Sequence, residues 1–251
     1  MSQSANTQSR WLYGWHAVTA ALLNARHQIV MVACAEQRQD ARRSAVEQLA
    51  LGRGIAVHNL STEQLAERVG DVRHQGVIAQ VIFAPLATHL DDVLAELTVP
   101  PFLLVLDGVQ DPHNLGACLR TADAMGVHAV IAPKDRAAPL SAAAAKVACG
   151  AAETVPYLTV TNLARSLREI RDAGIWIVGA AGEAEQDLYQ FNHTGPLAIA
   201  MGNEGSGLRR LTREHCDQLI KIPMFGTVES LNVSVATAII LAEARRQRER
   251  A

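Results

Sequence analysis

Aromatic side chains are scarce in this 251-residue chain, at 4% of residues, although 49% of residues are hydrophobic. A core without aromatic bulk is filled by Ala, Val, Leu and Ile, a composition that suits parallel strands covered on both faces. Cysteine is also thin on the ground. Cys34, Cys118, Cys149 and Cys216 lie far apart with no CxxC, so neither a zinc site nor a redox pair is indicated, and they read as reduced, buried or half-buried thiols of a cytoplasmic protein. Long apolar runs are missing: stretches such as 102–106 are strand-sized, against the ~20 residues that a membrane-spanning helix needs. The start, MSQSANTQSR, has no apolar signal core. A cytoplasmic protein with no membrane partner is expected.

Positive charge is not in excess either. The formal net charge is −2 and the pI about 6.5, which does not advertise a general polyanion binder. Residues 1–85 carry eight Arg against six acids, leaving −4 for the remainder. Any polyanion must be gripped by local clusters: Arg42 with Arg43; Arg209, Arg210 and Arg213; and the tail Arg245, Arg246, Arg248 and Arg250. Each cluster reads equally well as a solvated helix face, and the tail sits where cations favour a helix dipole.

What is present is an alternation of helix and strand in two blocks. Residues 1–10 read as a disordered tail and 11–84 as a small α/β domain. That domain has helices over 16–24, 40–51 and after Ser61, where Gln64 completes a capping box, and strands over 29–34, 55–60 and 76–83. Residues 85–101, with three prolines, three acids and no Lys or Arg, read as a linker with a short helix over 90–97. From 102 to 251, strand signals recur at 102–106, 128–132, 154–159, 175–180, 197–201 and 218–222. Helical stretches fall between and after them at 115–125, 141–148, 163–172, 208–216 and 231–248. Unbroken apolar strands alternating with helices predict a parallel sheet with helices on both faces.

Three segments of this second block place polar residues where a strand hands over to a loop or helix, the usual place for a site in such a sheet. In 222–240, IPMFGTVESLNVSVATAII, Glu229, Ser230 and Asn232 fall within four positions, where a helix start usually carries one capping residue. Ser230 and Asn232 either cap the helix or line a pocket beside the apolar Ile222–Pro223–Met224 wall. In 198–208, AIAMGNEGSGL, the spacing is wrong for GxGxxG and no Gly-Lys-Ser/Thr follows. The segment is either a plain glycine-rich turn or a loop whose glycines let a ligand approach Glu204. In 111–126, DPHNLGACLRTADAMG, Asn114 suits a helix cap and Gly116 close packing. Arg120, after three apolar or small residues, needs an anion. Asp107, Asp111 and Asp123 are the internal alternatives to a bound ligand.

Together, and in this order and spacing, the three segments resemble the SpoU (TrmH-like) branch of the SPOUT RNA 2′-O-methyltransferases, with its Asn…Arg, GxEG and P…SLNVSVA signatures. The openings LYGWHAV (12–18) and HQGVIAQV (74–81) further resemble the small ribosomal-protein-L30e-like RNA-binding domain of a bacterial subgroup. Over its full length the chain looks most like the enzymes of that subgroup that methylate a guanosine ribose in the P loop of 23S rRNA. The resemblance implies a C-terminal SPOUT domain with a deep trefoil knot, S-adenosylmethionine as cofactor, 23S rRNA as substrate, a homodimer with its site near the interface, and no metal. It places cofactor contacts on Gly202, Ile222 and Leu231, and the catalytic set on Asn114, Arg120, Glu204, Ser230 and Asn232.

By the same resemblance the ribose 2′-hydroxyl attacks the cofactor methyl in line. Arg120 binds the adjoining phosphate and the developing alkoxide rather than acting as a literal base, since a guanidinium hardly deprotonates. Asn114 and Asn232 orient Arg120 and the ribose, Glu204 and Ser230 shape the loop, and the first domain meets RNA through Arg42, Arg43 or Arg73. Three alternatives stand beside this. One is a ribose methyltransferase for tRNA or another rRNA position. The second is a non-catalytic RNA-binding or ribosome-assembly protein. The third is a nucleotide-dependent metabolic enzyme, which the missing fingerprint glycines disfavour.

Overall fold

The computed structural model describes residues 9–24, 27–83 and 85–250. The chain divides into two compact units, 1–85 and 86–251. Residues 1–8 of the expected disordered tail lie outside the described residues. Arg10, the last residue assigned to that tail, instead opens a strand.

The first unit holds a four-stranded sheet of β1 (Arg10–Tyr13), β2 (Gln28–Ala35), β3 (Val57–Leu60) and β4 (Val77–Ile82), ordered β1-β4-β2-β3. β4 runs antiparallel to β1 and β2, while β2 and β3 are parallel. β2 sorts its side chains by the strand period. Val32 and Cys34 pack with Val18, Leu22, Val46 and Ala50 of helices α1 (Trp15–Leu23) and α2 (Ala41–Gly52). Ala33 and Ala35 face Leu65 of α3 (Thr62–Val69) on the other side. The expected capping box closes α3: Gln64 N donates to Ser61 Oγ (3.3 Å) and Ser61 N to Gln64 Oε1 (3.0 Å).

Two arginines complete this unit from inside. Arg43, 6% exposed, donates to the carbonyls of Ala35 (2.9 Å) and Arg38 (3.0 Å), to Asn59 (2.6 Å) and to Glu47 (2.7 Å). Arg53 donates to the carbonyls of Ala21, Leu22 and Asn24, the open end of α1, where unsatisfied carbonyls collect. Arg43 is therefore a structural pin and not the RNA contact expected of it. Its neighbour Arg42, and Arg73, stay exposed.

The second unit begins with α4 (Leu90–Glu96) and β5 (Phe102–Asp107). The expected linker belongs to it: Val93 is buried with Leu103, Val105 and Leu167, and Leu90 and Leu94 pack beside them. The sheet continues through β6 (Ala129–Pro133), β7 (Tyr157–Val160), β8 (Trp176–Ala180), β9 (Gln186–Asp187), β10 (Leu197–Gly202) and β11 (Gln218–Lys221). Its order is β7-β6-β5-β10-β8-β11-β9, and every pairing is parallel. All six residues of β5 are buried, because both faces are covered. Leu104 and Leu106 meet α5 (Pro112–Ala124), α6 (Ala142–Ala148) and α9 (Val233–Arg248). Leu103 and Val105 meet α4 and α7 (Leu163–Asp172), with α8 (Arg210–His215) against α7. At Gly116 the close approach is real: a Cβ there would lie 2.5 Å from the Ala144 carbonyl oxygen and 2.7 Å from Val147 Cβ.

The basic clusters of this unit are largely committed to internal partners, Arg210 and Arg213 in exposed pairs. Arg209 pairs with Asp107, Arg210 with Glu214 and Arg213 with Glu183. Arg245 donates to the Met125 carbonyl (2.8 Å), Arg246 pairs with Glu243, and Arg248 reaches the Pro100 carbonyl (2.6 Å). Cys34 and Cys118 are buried, but Cys149 is exposed at the C-cap of α6, contrary to expectation. No helix among the described residues is long and apolar enough to cross a membrane, and no group of three or more His, Cys, Asp or Glu among them is placed to hold a metal ion.

Candidate active site

β5 and β10 lie side by side with Asp107 opposite Gly202, so their carboxyl ends deliver two loops to one place. The strand order reverses here, which is where open α/β sheets bind ligands. Asp107 is fully buried, and its two oxygens hold the side chain and the backbone N–H (3.0 Å) of Arg209, fixing the far end of the β10 loop. The loop closes on itself through an Asn203–Gly207 bridge. Asn203 Oδ1 accepts from Gly205 N (3.1 Å), Ser206 N (2.8 Å) and Ser206 Oγ (3.0 Å). A Cβ on Gly202 would collide with the backbone of Gly207 and Leu208. The loop's own closure thus requires that glycine, before any ligand is considered.

α5 starts earlier than its apolar pattern suggests. Asp111, not Asn114, caps it, accepting from His113 N (2.9 Å) with Pro112 in the first turn. Asn114 is left free to reach across: its Nδ2 donates to Glu204 Oε1 (3.1 Å). At α9 the cap is Asn232, whose Oδ1 accepts from Ser234 N (2.9 Å), Val235 N (3.4 Å) and Ser234 Oγ (2.6 Å). With that oxygen committed to the helix, its Nδ2 faces the site. It donates to Asn114 Oδ1 (3.0 Å) and to Glu204 Oε1, which also accepts from Val233 N (3.3 Å). Both readings of Asn232, cap and site, therefore hold at once. Glu204 Oε2 carries no partner among the described residues, so the cluster keeps one acceptor open.

The β10 loop is a wall between two cavities. One, about 510 Å³, is lined by Gln110, Asp111, Asn114 and the loop's Asn203, Glu204 and Ser206. The other, about 450 Å³, has Gly202, Ile222, Leu231 and Ser230 in its lining, with Met201, Leu208, Ile220 and Ala236 giving it an apolar side. Both volumes lie in the range of about 300–1,000 Å³ usual for small-molecule sites. At the rim of the second, the Arg213 guanidinium holds Glu183 below the usual carboxylate range.

Of the residues expected in the catalytic set, the structure joins Asn114, Glu204 and Asn232 into one hydrogen-bonded cluster and puts Ser230 on the neighbouring cavity. Asn114 and Asn232 hold Glu204, not Arg120 as expected. Arg120 lines neither cavity. It stands exposed on α5 with no hydrogen-bond or ion-pair partner among the described residues. Six helical positions turn the chain by roughly 600°, so Arg120 leaves α5 on a different face from Asn114. None of its expected internal partners engages it: Asp107 holds Arg209, Asp111 caps α5 and Asp123 accepts from Thr154. Sequence reading weighed Asp107 only as a partner for Arg120 and did not foresee its hold on Arg209, 102 positions away, nor the turn that Asn203 closes.

A seven-stranded parallel sheet carrying an Asn–Glu–Asn cluster between two cavities at its carboxyl edge defines an α/β protein with its candidate site where the strand order reverses. The chain belongs to the SpoU rRNA methylase family, whose profile matches residues 101–242. A second profile, for RNA 2′-O ribose methyltransferase substrate binding, matches residues 11–86. The chain is 56% identical over 239 residues to the 23S rRNA (guanosine-2′-O-)-methyltransferase RlmB of Neisseria meningitidis serogroup B, covering 95% of this chain and 96% of that one. It is 53% identical over 243 residues to the enzyme of that name from Escherichia coli K12, covering 96% and 99%. Among solved structures, the AdoMet-bound rRNA methyltransferase from Sinorhizobium meliloti matches with a TM-score of 0.60 and 25% identity, over 96% of this chain and 88% of that one.

Proposed function

We propose that this chain transfers a methyl group from S-adenosylmethionine to the 2′-hydroxyl of a guanosine ribose in the P loop of 23S rRNA, as a cytoplasmic homodimer. The observation that carries this is the β10 loop, which offers Glu204 to two cavities, one beside Asn114 and Asp111 and the other with an apolar wall of Met201, Leu208, Ile220 and Ile222. Relatives more than 50% identical along nearly the whole chain bear that activity in their names.

The second cavity, which joins an apolar wall to polar groups, fits the cofactor. Ile222 and Leu231 supply walls for a flat ring, and the loop's backbone, tight at Gly202, supplies polar groups. Bound there, S-adenosylmethionine supplies a sulfonium-activated methyl group. The chain's own part is alignment, which can contribute on the order of 7–11 kcal/mol. Asn114 and Asn232, each locked by the other and by Glu204, set the floor on which the ribose lies. Ser230 reaches that region from the cofactor side. Arg120, without a partner among the described residues, enters the site of a second copy of the chain and binds the adjoining phosphate and the developing alkoxide. The return of α9 from beside β11 to dock on α5 supports the knotted path expected of the C-terminal segment.

The test is methylation in vitro with labelled cofactor, offering 23S rRNA and tRNA in parallel, followed by mapping of the 2′-O-methyl position. Label in one guanosine of the 23S P loop is expected. Label in tRNA alone, or at another rRNA position, would replace the substrate; cofactor binding with no transfer would favour a non-catalytic assembly role.

A further inference from the structure

Next to the Asn114–Glu204–Asn232 cluster lies a third recess, about 390 Å³, lined in part by Gln110, Arg136, Asn203, Ser206 and Arg209. It shares Gly108, Gln110, Asn203 and Ser206 with the cavity beside Asn114, so the two adjoin. Two arginines line it. Arg209 is committed to Asp107, the recess's one acid. Arg136 has no hydrogen-bond or ion-pair partner among the described residues and is exposed. The recess is left with one positive charge and no anion to meet it. The adjoining cavity holds two acids, Asp111, whose Oδ1 caps α5, and Glu204, whose Oε1 the two amides hold, but neither lines the recess, nor does exposed Asp135.

The backbone that carries Arg136 is held in place. It sits at φ 60, a left-handed conformation unusual for a residue with a side chain and found where surrounding structure enforces it. The enforcement is visible: Lys134 N donates to the Val160 carbonyl (2.8 Å), Ala138 N to the Val109 carbonyl (2.8 Å), and Tyr157 Oη to the Ala138 carbonyl (2.8 Å). The loop is clamped at both ends while the guanidinium is left uncommitted. Asn203 Nδ2 and the Gln110 amide add neutral donors that no described group occupies.

We propose that Arg136 is a positioning residue for RNA: its recess holds a phosphodiester flanking the nucleotide whose ribose rests on the Asn–Glu–Asn cluster. This rests on the function proposed above. A planar guanidinium with neutral donors around it matches phosphate oxygens. A ribose in the cavity beside Asn114 must carry a phosphate on either side, and the recess adjoins that cavity. Arg136 stays clear of the cofactor cavity, so its loss should weaken RNA capture far more than the chemical step.

The experiment measures KM and kcat on a 23S rRNA fragment for the full-length wild type, Arg136→Ala, Arg136→Lys and Arg136→Gly. The glycine variant accepts the left-handed backbone, so it keeps the test valid if Ala disturbs the loop. For Ala and Gly, KM for RNA is expected to rise about ten-fold with kcat little changed, and the slope of log affinity against log salt to fall by about 0.7–0.9, one phosphate contact. Lys should recover most of the loss, and cofactor affinity should match wild type in all three variants. Replacing single phosphates near the target by uncharged methylphosphonates should weaken wild type at one position and leave Arg136→Ala unaffected there. Equal penalties in both proteins at every position, or unchanged KM and salt slope in an active enzyme, overturn the inference. So does a recess that takes inorganic phosphate without any such position in RNA. A wild type that methylates no 23S fragment overturns the underlying function instead, and this inference with it.

Discussion

The two units of the chain use polar side chains to different ends. In the first, the buried guanidinium of Arg43 and the carbonyl-gathering Arg53 close helices onto sheet. In the second, Arg209, Arg245 and Arg248 do the same work, but the carboxyl edge of its sheet is organised otherwise. There Asn114, Glu204 and Asn232 satisfy one another and still leave Glu204 Oε2 open, while Arg120 and Arg136 stand without partners among the described residues. A site differs from a fold pin in the hydrogen-bonding capacity that remains after the backbone's demands are met.

The sharpest way to break this comparison is to remove the first unit. A chain lacking residues 1–85 is expected to bind S-adenosylmethionine as before, since both cavities lie in the second unit. It should lose rRNA methylation by more than about a hundred-fold for want of RNA contacts. Calorimetry with the cofactor and an rRNA assay read the two halves, and full activity of the truncated chain would contradict the division. Next, Arg120→Lys should fold and bind cofactor normally yet lose most turnover, by about 2.7–4 kcal/mol of activation if it steadies the developing oxyanion. Near-normal single-turnover rates would remove Arg120 from the chemistry.

Arg43→Ala should destabilise the first unit by about 3 kcal/mol, because buried carbonyls lose a charged donor. Its exposed neighbour Arg42→Ala should stay within about 0.5 kcal/mol. Denaturant melts that rank them the other way would show Arg43 to be dispensable inside. In the second unit, Gly116→Ala forces a methyl against the Ala144 carbonyl and Val147, an overpacking expected to lower stability by about 1–3 kcal/mol.

The smallest expected effect is a pH dependence. His193 is fully buried with only Nε2 bonded, 3.0 Å from the Leu188 carbonyl oxygen. Burial holds its pKa below 6.5, and burial with Arg248 and Arg245 nearby does the same for His128. The unfolded chain then takes up protons more readily than the folded one. Stability is intact above about 6.5 and falls as pH drops below it. Melting temperature should be lower at pH 5.5 than at 7.5, with a smaller drop in His193→Gln; an equal drop in both proteins would clear His193.

Much of the architecture was legible because its causes are local. The 102–106 run marked a strand buried on both faces, and Ser61 with Gln64 marked a helix start. Non-local causes stayed hidden. That Asp111 rather than Asn114 caps α5 depends on where the chain leaves β5. Val93 is core because α4 meets β5 and α7, which no proline count in 85–101 reveals. Arg43 and Arg245 read as charge on a surface because their carbonyl partners come from distant backbone. In the site, the residue types at 114, 204 and 232 were readable from pattern, but not that the two amides would hold the carboxylate, nor that Arg120 would stand apart from them.

Asn232 has one further consequence. Its oxygen starts the last helix while its nitrogen grips Asn114 and Glu204. Ser, Thr or Asp would start that helix as well, yet none can offer the amide hydrogens, and Asp would set a second carboxylate against the first. Two tasks that most proteins assign to separate positions share a single side chain, and the choice at 232 narrows to one amino acid.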